Sequence, residues 1–167
     1  TRASTDAFRD ITEITVFAPD HPRLLSIIAG ACASSGANIL DAQIFTTSDG
    51  YALDTIFVSR ELPRDEDEQR RAERIGQLIE QALAGDVTMG DLVVQRAVTK
   101  GRIRAFSVEP NVLVNNTWSN RYTVIEISGL DRPGLLFQLT DVVARLNLNI
   151  ASAHVATFGE RAVDVFY

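Results

Sequence analysis

An α+β fold made of two tandem copies of one module is predicted by three observations. The first is an internal repeat. Displacing the sequence by 111 residues lays 12–46 over 123–157 and matches eleven of the 35 positions. The matched pairs are Thr12/Thr123, Ile14/Ile125, Asp20/Asp131, Pro22/Pro133, Leu24/Leu135, Leu25/Leu136, Ala33/Ala144, Asn38/Asn149, Ile39/Ile150, Ala42/Ala153 and Thr46/Thr157. One residue is then lost in a turn, and at a displacement of 110 Ala52/Ala162 and Asp54/Asp164 match as well. The second observation is period-two alternation of apolar residues, which predicts strands. The third is a helical apolar stripe following the first strand of each copy.

Each element follows from its residues. Residues 1–11 are polar and read as an N-terminal linker. Copy one opens with a strand over Thr12–Ala18, with Ile14 and Val16 on one face. Copy two opens at Tyr122–Gly129, with Ile125 and Ile127. A tight turn follows, Pro19-Asp20-His21-Pro22 or Leu130-Asp131-Arg132-Pro133-Gly134; its aspartate suits a helix cap and its proline a first helical turn. The helix stripe is Leu25, Ile28, Ala29 and Cys32 in copy one, and Leu135, Leu139, Val142 and Leu146, flanked by Leu136 and Val143, in copy two. Gly36 and Asn147 tolerate the left-handed conformation that ends a helix. Two hairpin strands come next, Asn38–Thr46 with Tyr51–Ser59, and Asn149–Thr157 with Ala162–Tyr167.

Copy one continues with a helix from Asp65, acidic in its first turn, buried along Ala72, Ile75, Leu78, Ile79, Ala82 and Leu83, and closed by Gly85. The dense, nearly balanced charges of 60–74 read as a solvated helix face. Residues 86–105 form an extra segment in which Asp91–Val98 predicts a short helix, and Asn111–Asn115 reads as a last strand. Copy one, 12–117, is then a ferredoxin-like βαββαβ unit. A linker, 118–121, carries Trp118, expected to pack at the junction. Copy two, 122–167, supplies only a βαββ portion and stops inside its third strand, which reads as a piece of a longer chain.

Composition narrows the function. Sixteen Lys and Arg against 22 Asp and Glu give a net charge of −6, without the basic excess a nucleic-acid partner requires. The single cysteine, Cys32, cannot form an internal disulfide, and with two histidines a multi-ligand zinc site is not expected. No apolar run approaches the roughly 18 residues of a membrane span, and 1–10 lacks a signal-peptide core. A cytoplasmic location is expected. No phosphate-cradling glycine loop or nucleophile–base pair is visible, so this chain is not read as an enzyme.

The repeated pattern, Asp20-His21-Pro22-Arg23-Leu24-Leu25 with Asn38-Ile39 and Asp131-Arg132-Pro133-Gly134-Leu135-Leu136 with Asn149-Ile150, resembles the ACT domain, a βαββαβ regulatory module that binds amino acids. The stretches Trp118–Glu126, Gly129–Leu136, Leu146–His154 and Phe158–Tyr167 look more narrowly like the C-terminal tandem ACT region of the bacterial bifunctional uridylyltransferase/uridylyl-removing enzymes. That resemblance implies a glutamine sensor acting on the modification of the nitrogen-signalling protein PII. Its upstream catalytic domains, outside this chain, would use Mg. No cofactor is expected in the chain itself. Side-by-side ACT pairing, and dimerisation through it, is implied as well.

The implied amino-acid site is the strand-to-helix turn, because a helix N-terminus offers unpaired N–H groups to a carboxylate. Candidate residues are Asp131, Arg132, Pro133, Gly134, Leu135, Leu136, Asn149 and Ile150 in copy two, and Asp20, His21, Arg23 and Asn38 in copy one. Gly134 removes a side chain where Arg23 adds one, which favours copy two. Asn149 has the donor and acceptor to pair a side-chain amide. The plainer readings stand beside these. Asp20 and Asp131 read equally as caps, Gly134 as a turn residue, His21 as an exposed turn residue and His154 as an interface histidine. Cys32 reads as a buried hydrophobe, and Asp54 and Asp164 as strand-face charges. The competing functions are an ACT module of another amino-acid-metabolism enzyme and a ligand-free assembly module.

Overall fold

The computed structural model describes residues 1–6, 10–99 and 107–167; of the expected extra segment, 100–105 lies outside them. The elements in chain order are β1 (Arg2–Asp6), β2 (Ile11–Pro19), α1 (Leu24–Ser35), β3 (Ile39–Thr46), β4 (Tyr51–Ser59), α2 (Asp65–Ala84), α3 (Met89–Thr99), β5 (Asn111–Asn115), β6 (Val124–Leu130), α4 (Leu135–Arg145), β7 (Ala153–Phe158) and β8 (Arg161–Phe166). The strands join into one antiparallel eight-stranded sheet in the order β1-β2-β4-β3-β7-β8-β6-β5.

The order is palindromic in the repeat. β2-β4-β3 of copy one meets β7-β8-β6 of copy two through β3 and β7, where Ala42 pairs Ala153. These two alanines are repeat equivalents, and each is buried. A residue facing its own equivalent across a junction is the signature of a two-fold relation. The copies are therefore joined side by side about a pseudo-dyad at Ala42 and Ala153. Their small side chains let the sheet run on without a break.

Alternation places Thr12, Ile14, Val16 and Ala18 of β2 in the core with Ala52, Ile56 and Val58 of β4. The other sheet face stays open, with Phe17, Leu53 and Phe45 exposed along one cross-strand row. Helix α1 is buried nearly all round, since α2, α3 and α4 all contact it. Its small residues Ala29, Gly30, Ala31 and Cys32 permit the close approach. Gly36, Gly85 and Asn147 take the left-handed conformation their helix ends require.

Several expectations are corrected. The polar start is not wholly linker: β1 pairs with β2. Asn111–Asn115 is a strand, but it pairs with β6 of copy two and does not close copy one. In a βαββαβ unit the edge beside the first strand belongs to the fourth; here β1 and β5, each preceding a first strand, fill that edge. The physical cause at β5 is local. Asn115 Oδ1 accepts from the N–H groups of Thr117 and Trp118 at 2.7 and 2.8 Å, an Asx turn that folds the chain back on itself. The expected 118–121 linker is thus part of a hairpin connection, and Trp118 is exposed there instead of packed at the junction. Strand β7 starts at Ala153, not Asn149. Ahead of it the backbone bonds Tyr167 outside a regular ladder, with Ala151 N–H donating to Tyr167 O at 2.7 Å and Tyr167 N–H to Ser152 O at 3.0 Å.

The stripe of α4 also differs. Thr140, Asp141, Val143 and Ala144 are buried, while Val142 and Leu146 are exposed. Val142 is 54% exposed, yet its equivalent Ala31 is 0%. Helix α1 lies between α2 and α4, but α4 has a helical neighbour on one side only. Leu83 of α2 is likewise exposed. The charge run of 60–74 is not simply solvated. Glu68 and Arg71 are buried, joined at 2.6 Å, and Glu68 also accepts from Thr12 Oγ1 at 2.9 Å and from the N–H groups of Glu61 and Leu62. A buried carboxylate persists where such a set of donors surrounds it.

Candidate functional site

The two strand-to-helix turns are built alike. Asp20 N–H donates to Gly50 O and Asp131 N–H to Glu160 O, each at 2.9 Å, which ties each turn to the hairpin loop of its own copy. Leu24 N–H then reaches His21 O at 2.8 Å and Leu135 N–H reaches Arg132 O at 3.0 Å. The helices therefore start three residues later than a cap at either aspartate requires. The N-cap positions are Arg23 and Gly134, and neither side supplies a side-chain cap. The cap reading of Asp20 and Asp131 is corrected accordingly, and both carboxylates are left for other partners.

Between the copies lies a pocket of about 300 Å³, at the lower end of the range for small-molecule sites. The turn Asp131–Leu136 forms one wall and Gly36–Ile39 of copy one the other, with Ala29 and Ala33 of α1 alongside. The sheet contributes Val155, Thr157, Ala162 and Asp164. So the structure brings together Asp131, Arg132, Pro133, Gly134, Leu135, Leu136 and Asn38. It does not bring in Asn149 or Ile150, which precede β7 and do not line this pocket.

Asp20, His21 and Arg23 line a different cavity, between α1, the end of α2 and the start of α3. His21 is exposed, and its Nδ1 accepts from Arg23 N–H at 3.1 Å. The half-site that the pseudo-dyad would generate around this turn is spanned by protein. Arg23 reaches across to Asp141 of α4 at 3.2 Å, and Arg145 adds a second contact to Asp141 at 2.7 Å. The repeat equivalents of Arg23 and Asp141 are Gly134 and Gly30. Gly134 faces α3 instead, and Gly30 faces both α3 and Phe137 of α4. A Cβ on Gly134 would lie 2.5 Å from Val93, and one on Gly30 would lie 3.0 Å from Met89. Gly134 thus serves the packing of α3 as well as its own positive φ of 80°.

The residue that sequence reasoning left outside the site is Asp164. It is 2% exposed, and its equivalent Asp54 is 1% exposed. Oδ1 of each lacks a hydrogen-bond partner among the described residues. Burial, reinforced by the negative charge of Asp131, pushes the Asp164 carboxyl up to about 7. Burial and Asp20 do the same for Asp54, also to about 7. The strand-face reading of both is therefore incomplete. The signal was present: Ala162, Asp164 and Phe166 alternate on the inward face, so a carboxylate at the middle position had to be buried.

Other candidates take the plainer role. His154 Nδ1 meets Asp41 Oδ1 at 3.1 Å across the junction, and its ring packs edge-on against Tyr167. Cys32 is fully buried, and burial pushes its thiol up to about 12, far from a reactive thiolate. No helix is long and apolar enough to cross a membrane among the described residues.

Fold and junction together define a tandem α+β module, two copies sharing one sheet with a pocket at their seam. Comparison with known proteins gives the family. The ACT domain matches residues 12–80 and 123–167, and the chain belongs to the ACT domain family. It is 69% identical over 162 residues to the bifunctional uridylyltransferase/uridylyl-removing enzyme of Nitrobacter hamburgensis, covering 97% of this chain and 17% of that protein. It is 65% identical to the enzyme of the same name from Bradyrhizobium diazoefficiens, with 97% and 17% covered. For the Rhodopseudomonas palustris enzyme the figures are 66%, 97% and 18%. The chain therefore spans about a sixth of the length of these relatives.

Proposed function

We propose that this chain is the glutamine-sensing part of a bifunctional uridylyltransferase/uridylyl-removing enzyme, which adds UMP to the signalling protein PII and removes it. The catalytic domains, with the Mg they would use, lie outside the chain. The observation that carries the reading is the position of the pocket. One wall comes from each copy, so a ligand bound there contacts both and its affinity depends on how they sit together. A ligand shifts an equilibrium only by its differential affinity for the two arrangements, and a ligand held by both copies can discriminate between them.

The pocket has the chemistry for an amino acid. Leu135 N–H is taken by Arg132 O, but the next N–H groups of the first turn of α4, at Leu136 and Phe137, lack intrahelical acceptors and suit a carboxylate. Asn38 offers an amide donor and acceptor to a side-chain amide. The similarity to enzymes named for both uridylyl transfer and uridylyl removal supports control of two opposed activities by one effector. Calorimetric titration of the full-length protein with L-glutamine, L-glutamate and L-asparagine tests this. Saturable heat with glutamine, together with a shift in the balance of the two activities, is expected. Absence of heat with all three favours the assembly-module alternative.

A further inference from the structure

The pocket contains a carboxylate whose Oδ1 no donor among the described residues completes. On β8, Asp164 faces Val155 of β7 across the sheet, as Ala162 faces Thr157. All four line the pocket, so the strand face bearing Asp164 is the pocket wall. The side chain is almost wholly buried, and Oδ1 has no partner among the described residues. A second carboxylate, Asp131, stands on the adjoining turn. Elsewhere this fold does satisfy a buried carboxylate, since Glu68 collects Thr12, Arg71 and two backbone N–H groups.

We propose that Asp164, with Asp131 beside it, receives the α-ammonium group of the amino acid bound between the copies, so that the pocket selects zwitterions over carboxylic acids lacking an amine. The proposal rests on the amino-acid reading above and adds the residue that enforces it. A buried oxygen without a partner is costly, and an ammonium supplies both its missing donor and its counter-charge. An anion without an amine leaves Asp164 unsatisfied and adds repulsion. A ligand spanning the pocket then turns its ammonium to the sheet side and its carboxylate to the start of α4. Copy one repeats the aspartate as Asp54, but its half-site is spanned by Arg23 and Asp141, and Asp54 lines neither the seam pocket nor the cavity at Asp20–Arg23. One open cradle results from two equivalent aspartates.

The test is calorimetry on the full-length protein, wild type, Asp164→Asn and Asp54→Asn, with L-glutamine and with glutaramate, its analogue lacking the α-amino group. The wild type is expected to bind glutamine and to bind glutaramate at least about tenfold more weakly. Asp164→Asn should weaken glutamine about ten- to hundredfold while leaving glutaramate unchanged or tighter. Asp54→Asn, which loses the same kind of buried carboxylate, should keep the wild-type glutamine affinity. Glutamine binding by Asp164→Asn at wild-type affinity would overturn the proposal while leaving the sensor reading intact. Equal weakening in both variants, or parallel loss of both ligands in Asp164→Asn, would also overturn it. If the wild type binds no amino acid at all, the sensor reading itself falls, and the cradle with it.

Discussion

Replacing the two buried aspartates by asparagine should remove an inverted acid response of stability, in which the wild type gains stability as pH falls. In the folded protein Asp54 and Asp164 have carboxyls pushed from 3.8 to about 7 by burial and by Asp20 and Asp131. A raised carboxyl holds its proton more tightly in the folded state than in the unfolded chain. Stability then rises as pH falls from about 7 toward 4, and this gain is absent above 7. At about 1.4 kcal/mol per unit, moving from pH 8 to pH 5 adds roughly 2–3 kcal/mol per group. Each group is almost fully buried, so solvent screening removes little of this. Asparagine occupies the same volume and does not titrate. Urea unfolding of wild type, Asp54→Asn, Asp164→Asn and the double variant at pH 5 and pH 8 reads the effect. Each single variant should gain roughly 2–3 kcal/mol relative to wild type at pH 8 over its standing at pH 5, and the double variant about twice that. A relative stability that is flat in pH, or shifted in the opposite sense, would refute the account of these carboxyls.

Other perturbations separate the remaining claims. Glu68→Ala strands the buried Arg71 guanidinium and should cost about 3–5 kcal/mol by urea unfolding, with little recovered at high salt. Arg23→Ala removes an ion pair whose arginine is largely exposed; it should change stability by at most about 1 kcal/mol and leave glutamine affinity at the seam intact. Gly134→Ala combines a positive φ with a Cβ 2.5 Å from Val93 and should cost about 1–3 kcal/mol, part of which Val93→Ala restores. Because an ammonium favours the charged form of Asp164, glutamine affinity should fall as pH drops below 7, by up to about tenfold per unit. The other titratable groups lining that pocket are Asp131, Arg132 and Glu61, and titrations in Asp164→Asn separate their contribution from that of Asp164.

Much of this architecture is legible in the sequence because both strands and helices repeat. Two copies of a strand, an Asp-x-Pro turn and an apolar helix fix the βαββ core twice over. Side-by-side pairing of the copies is implied by the family resemblance; that the junction falls at Ala42 and Ala153 is read only from the structure. What the repeat does not encode is which residues lie outside it. β1 is short and polar, and only its antiparallel hairpin partner makes it a strand, whereas β5 reads as a strand from its residues but its partner, β6 of copy two, lies outside what the repeat encodes. The burial of Glu68 and Arg71 depends on a threonine 56 residues away, beyond any local charge pattern. The site was half legible. The turn Asp131–Leu136 was identified from its glycine and its helix start, and Asn38 from its strand entry. Asn149 is read into the site for its amide at a strand entry in the same copy as the turn, yet the pocket takes Asn38 of the other copy, because a pseudo-dyad places equivalent residues on opposite sides of the seam. The same symmetry explains Arg23, whose partner Asp141 faces a helix groove that glycines and α3 fill on the other side.

The central claim is that an amino acid binds at the seam between the copies, and a crystal structure of the protein grown with L-glutamine tests it most directly. The account predicts one glutamine with its amine on Asp164, its carboxylate at the first turn of α4 and its amide toward Asn38. A glutamine seated instead at Asp20–Arg23 beneath α3, or an empty seam in crystals of a protein that binds glutamine in solution, would contradict it.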